Sequence, residues 1–202
     1  MWALVEDNTI TKLINNPKGM IIGDTQYSRN IFSFRWSNAE REAIGIYEVV
    51  WDNTNKKDAR WYINTDASYA FGSGKVTASY GSATAKEHAD TLWTAQDESD
   101  GKGTEGEVAS RGLKYNLIKE IKLEAAGELQ NTDWYIVRKA DADTAVPSAI
   151  TNHRAAVRTK CASMETAITN ASDTPALETL YTRNASGVRP LGDLPTLEVS
   201  CL

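Results

Sequence analysis

Thr132-Asp133-Trp134-Tyr135-Ile136-Val137-Arg138-Lys139 (TDWYIVRK) is the stretch on which the fold turns. Before it, Leu113, Leu117, Ile121, Ala125 and Leu129 recur every fourth residue, with Ile118 beside them. After it, Ile150, His153, Val157, Cys161, Met164 and Ile168 recur at spacings of three and four. Such periods place each set on one face of an α-helix. The two faces can pack on one another if the chain reverses between them. The spacing therefore predicts an antiparallel helical pair, over residues 105–130 and 147–171, with TDWYIVRK as a structured elbow.

Each residue of the elbow has a physical reading. Thr132 suits the N-cap of a short helix over 133–140, with Asp133 favourable beside the positive helix end. Asp133 pairs with Arg138 or Arg154 and fixes the turn, because a polar elbow over packed helices needs such a partner. Trp134 is read as plugging the open end of the pair between Leu129 and Ile150, with a binding anchor as the alternative; as a plug, its loss is expected to cost about 3 kcal/mol or more. Residues 141–146 form a loop, and Pro147 fits the first turn of the second helix. Gly127, inside the first helix, lets a neighbouring backbone approach. Arg154 and Arg158 lie one turn apart as a cationic ridge, read as a solvated helix face, with docking of an acidic partner as the alternative.

The N-terminal half has a different period. WALVE and TITKLI flank Asp7-Asn8, a turn pair that tolerates left-handed conformations, so residues 2–14 read as a β-hairpin. Ser37 and Glu40 form a capping box for a short helix that Gly45 ends. IYEVVW (46–51) reads as a strand, with RWYINTD (60–66) as its return strand. Gly72-Ser73-Gly74 joins two further strands. The polar, Gly-rich DESDGKGTEG (97–106) reads as a linker. The fold class is thus α+β: a β-rich module of hairpins (1–96), a linker (97–106), a helical hairpin module (107–183) and an extended C-terminal tail (184–202) ordered by partners.

Composition bounds the function. The 202 residues hold 41% apolar and 24% charged residues, ordinary for a globular protein. A net charge of −5 without a basic stripe argues against nucleic-acid binding. No apolar run is long enough to span a membrane, and the N-terminus lacks a secretory signal pattern. Cys161 and Cys201 make neither a metal motif nor a disulfide framework. His153 reads as a helix-packed histidine and Cys161 as a small buried hydrophobe. No serine sits in a nucleophile elbow, and Gly72-x-Gly74 lacks the helix of a dinucleotide site. The residues therefore point to no catalytic centre, cofactor or metal. Trp36, Trp51, Trp61 and Tyr62 are the candidate interface aromatics, and glycan binding through Trp51, Trp61 and Tyr62 is one reading of them.

Residues 123–160 resemble the C-terminal module of phage tail assembly chaperones and tail-fibre-associated proteins. The likeness rests on Thr132-Asp133-Trp134, the acidic loop ending in Pro147, and the Arg154–Arg158 pair. Where those proteins carry an aromatic pair before the first arginine, this chain reads ITNHR. The element Trp36-Ser37, Glu40, Gly45-Ile46-Tyr47 is similar to the β-rich N-terminal part of phage virion proteins. The resemblance implies a non-enzymatic structural component of a bacteriophage virion, from the tail, baseplate or fibre attachment region. Its partners would be other virion proteins and further copies of itself in a symmetric assembly, with no nucleic acid and no membrane. It would be made in the host cytoplasm and retained in the virion. The alternative is a tail-fibre assembly chaperone that leaves before the particle matures.

Overall fold

A computed structural model describes residues 1–197. The architecture is α+β, with the strands concentrated in the N-terminal part and the long helices in the C-terminal part. The chain forms two compact units, Met1–Thr84 and a second beginning at Ala85. The division lies ahead of the expected linker.

In the first unit, β1 (Trp2–Glu6) and β2 (Thr9–Ile14) form the expected hairpin. Asp7 and Asn8 both have positive φ, 49° and 61°, as a two-residue hairpin turn with matching twist demands. A small hairpin follows, β3 (Met20–Ile22) with β4 (Thr25–Tyr27), then a single 3-10 turn over Arg29–Phe32. Helix α1 (Asn38–Glu42) starts at the Ser37–Glu40 capping box, with both reciprocal hydrogen bonds present.

Strand β5 (Ile46–Asp52) is the centre of the sheet. Its first residues pair antiparallel with β1, and Val49–Asp52 pair in parallel with β8 (Lys75–Tyr80). Residues 60–66 are not its return strand: they contribute only β6 (Tyr62–Ile63). Between β5 and β6 the chain folds into a loop closed by Asn64, whose side-chain amide donates to the Lys57 carbonyl and accepts from the Lys57 N–H, each at 2.8 Å. Strand β7 (Ala67–Gly72) pairs with β8 around Ser73-Gly74, the expected turn, giving the order β2-β1-β5-β8-β7. The edge strands β2 and β7 approach each other, so the sheet curls. β9 (Thr84–Ala85) marks the unit boundary.

Alternation along the strands builds two small cores. Ala3, Val5, Val49, Val76 and Ala78 line the inner face, joined by Tyr47, Tyr69 and Phe71. Leu4, Ile14 and Ile46 point the other way, where Trp2, Met20, Ile22, Phe32 and Ile44 cover them. Arg41 is buried at the second core. Its Nε donates to the Ile31 carbonyl, one Nη to the Ser33 carbonyl and the other to Asn38, and its guanidinium lies 4.7 Å from the Trp2 ring.

The expected linker lies inside the second unit, within a small structured element. β10 (Thr91–Leu92) pairs with β11 (Val108–Ser110), and between them stands α2 (Ala95–Ser99). The polar composition hid a second capping box, Thr94 with Asp97. The Asp97 carboxylate accepts from the Thr94 hydroxyl and backbone and from Lys102, which also meets Asp100. These bonds, with the Thr94 hydroxyl contributing most, hold the Asp97 carboxyl down at about 2. A carboxyl depressed in the folded state stabilises at pH above its unfolded value, and that contribution is lost as pH falls through the folded one. NMR titration of the Asp97 carboxyl carbon is expected to give a midpoint near 2 in the wild type. In Thr94→Ala the midpoint should move up toward an ordinary aspartate.

Helix α3 (Leu113–Gln130) begins later than the spacing suggested. Gly112 precedes it and is not inside it; a Cβ there would sit 2.2 Å from the Ala89 carbonyl oxygen. α4 (Asp133–Ala142), α5 (Ser148–Asn170) and α6 (Thr174–Tyr181) follow. α3 and α5 run antiparallel: Lys114 reaches the Thr169 carbonyl, Lys122 pairs with Glu165, and Arg154 reaches the Leu129 carbonyl. Leu117, Ile121 and Ala125 of α3, and Ile150, His153, Val157, Cys161, Met164 and Ile168 of α5, are all buried, as the spacing predicted. Gly127, however, faces open space and admits no close backbone. Gly127→Ala should raise stability by about 0.5–1 kcal/mol, seen as a higher denaturation midpoint.

The described part of the tail, residues 184–197, packs on its own unit. Leu191 is buried, its carbonyl accepts from Lys160 at 2.8 Å, and Leu194 packs on Ala125, Val157 and Cys161. Arg183 and Arg189 both pair with Asp193. Apolar anchors that a Pro- and Gly-rich composition obscured therefore tie residues 184–197 to their own helices. Residues 198–202, including Cys201, lie outside the described residues.

Candidate functional site

The elbow is built around one guanidinium. Asn131 keeps a right-handed helical backbone after α3, and only Thr132 (φ −118°, ψ 2°) departs before α4 begins. α3 and α4 are thus nearly one helix, broken at a single residue. The break frees carbonyls at the end of α3, which need partners when buried. Thr132 is 1% exposed, and its hydroxyl donates to the Leu129 carbonyl at 2.9 Å. It does not cap α4 with its side chain as expected. Instead the hydroxyl oxygen accepts from Arg154 Nη1 at 2.7 Å. The same nitrogen lies 2.8 Å from both the Leu129 carbonyl oxygen and the Asp133 carboxylate. Arg154 is buried and Asp133 is half exposed, so the guanidinium binds the helix end inside and a carboxylate at the surface.

Of the expected elbow residues, Thr132, Asp133 and Arg154 come together, and Asp133 chooses Arg154. Arg154 and Arg158 form no ridge, since Arg154 is buried and Arg158 exposed. Pro147 sits one position earlier than expected, as the residue preceding α5, its carbonyl accepting from Thr151. Trp134 is not a plug. It is 50% exposed, and Tyr135 is the buried residue of α4. The Trp134 ring lies over Tyr135 at 3.8 Å, with the Arg138 guanidinium 4.7 Å away. Trp134→Ala should accordingly cost only about 1 kcal/mol or less, a surface cation–π contact, in a thermal melt. Beside it, Ile136 and Val137 are also exposed.

The candidate interface aromatics part company. Trp61 is 3% exposed, a core residue, and is not an interface residue. Trp36 is half-buried against the edge of Tyr27, and Tyr62 is half-buried. Only Trp51 presents a large exposed surface, grouped with Tyr69 and Tyr80, two rings that the sequence did not single out. The signal was available: Trp51, Tyr69 and Tyr80 fall on inward positions of three strands that the hairpin turns already delimited.

The titratable groups follow their surroundings. Burial, then the nearby Glu165 carboxylate, push the Cys161 thiol up, away from the thiolate a nucleophile needs. His153 is packed on the apolar face of α5. Among the described residues, no three His, Cys, Asp or Glu side chains are grouped to hold a metal ion. No family model, curated protein or solved structure matches the chain.

Proposed function

We propose that the protein is a non-enzymatic structural component of a bacteriophage virion, from the tail, baseplate or fibre attachment region, acting by protein–protein docking. One observation carries the reading. Thr132, Asp133 and Arg154, which bear much of the sequence resemblance, meet in one clamp, and the clamp holds out a helix with Trp134, Ile136 and Val137 exposed. A ten-residue helix is marginal by itself, and exposed apolar side chains on one suit docking. The partners in this reading are other virion proteins and further copies of the chain in a symmetric assembly. Neither nucleic acid, membrane, metal nor cofactor enters it.

Quantitative mass spectrometry of purified particles tests the assignment. The chain should be present at a fixed copy number relative to the other tail proteins. Abundance in infected cells with absence from particles would instead make it a tail-fibre assembly chaperone. Ile136→Glu and Val137→Glu are expected to reduce incorporation while leaving the melting midpoint near that of the wild type.

A further inference from the structure

The inner face of the sheet ends in an aromatic cluster. Trp51 on β5 and Tyr69 on β7 flank Ala78 of β8, to which both are register partners. Their rings meet edge to face at 6.2 Å above the fully buried alanine. Tyr80 lies against Trp51 at 5.8 Å and 28°. The Lys56 ammonium stands 5.3 Å from the Tyr80 ring. Trp51 keeps 43% of its surface exposed.

Four polar groups of this cluster and its edge are unused. Among the described residues, the Trp51 indole N–H, the Tyr69 and Tyr80 hydroxyls and the Lys56 ammonium make no hydrogen bond, and Lys56 has no carboxylate partner. The adjacent Asp52 alternates to the other face of β5, where it accepts from the Thr54 N–H and hydroxyl. A partly exposed tryptophan, hydroxyls on the two neighbouring rings and a cation beside Tyr80 without a carboxylate suit a ligand with an apolar flat face, hydroxyls and negative charge.

We infer that this cluster binds an anionic saccharide, the Trp51 ring taking the C–H face of a pyranose and Lys56 its carboxylate. A single-stranded nucleic acid fits less well. It needs several cations along a groove and successive stacked rings, whereas here one lysine stands at the cluster, and beside the near-parallel Trp51–Tyr80 pair the third ring, Tyr69, is set at 72° to Trp51. The inference holds whether or not the chain belongs to a particle.

Calorimetric titration of the whole chain with galacturonate, glucuronate and mannuronate trisaccharides tests it, with galactotriose as the neutral counterpart. At least one charged sugar should bind, and more tightly than galactotriose. Trp51→Ala should weaken binding about tenfold or more, and Trp51→Phe should retain most of it. Lys56→Gln should weaken the charged sugar about tenfold and leave galactotriose unchanged. Val50→Thr, on the opposite face, should change neither. A melt of each variant confirms that it is folded. No binding of any charged trisaccharide, equal binding of the neutral one, indifference to Trp51→Ala, or tighter binding of oligothymidylate through the same residues would each overturn the inference.

Discussion

Arg154→Met is expected to lower the stability of the helical unit by about 2–4 kcal/mol, the largest effect of any single change at the elbow. Methionine keeps most of the apolar stem but removes the donor that serves the Leu129 carbonyl and the Thr132 hydroxyl. Both groups are then buried at a helix end with fewer partners. The Asp133 contact is a smaller part of this, because that carboxylate is 55% exposed and water replaces its partner. Asp133→Asn should therefore cost well under about 1 kcal/mol. Thr132→Val should fall between the two. Chemical denaturation followed by circular dichroism at the helical band reads all three. Equal losses for Arg154→Met and Asp133→Asn would mean that the ion pair, and not the capping of α3, holds the elbow.

The second large effect belongs to the β-rich unit. Gly45→Ala is expected to cost about 3 kcal/mol or more, by two mechanisms acting together. Gly45 has φ +79°, in the left-handed region that disfavours any residue with a Cβ. The added Cβ would also lie 2.5 Å from the Val5 carbonyl oxygen, a backbone atom. Relief of that contact pulls β1 away and stretches the bond from the Val5 N–H to the Gly45 carbonyl, now 2.8 Å. Gly23→Ala serves as the comparison. It carries a positive φ but meets nothing nearby, so it should show the conformational part alone, about 1 kcal/mol. Similar losses for the two would show that β1 yields freely.

What was legible in the sequence is what depends on neighbours along the chain. Asp7-Asn8 announces its hairpin because few residue pairs adopt two left-handed conformations in succession. Ser37 and Glu40 announce α1 through bonds three residues apart. The stripes on α3 and α5 identify each other because both are long. Partner choice between strands is a different matter: β5 pairs in parallel with β8, more than twenty residues on, and nothing local in IYEVVW selects KVTASY over RWYINTD. Thr94 and Asp97 were readable as a capping box, but the glycines around them spoke for a linker. The elbow was legible in its polar members and not in its aromatic one. Asp133 needs a cation wherever it lies, whereas the burial of Trp134 or of Tyr135 depends on how α4 leaves Thr132.

That last dependence reaches beyond stability. Because α3 passes into α4 through a single non-helical residue, the elbow sets the rotational phase of α4 about its own axis. One residue more or fewer between Leu129 and Asp133 would turn α4 by about 100° and replace Tyr135 at the buried position with a neighbour. The loop between α4 and α5 has no such control, since slack there leaves the phase of α4 untouched. Length is therefore constrained on one side of α4 and free on the other, and the face that α4 presents outward is decided at Thr132.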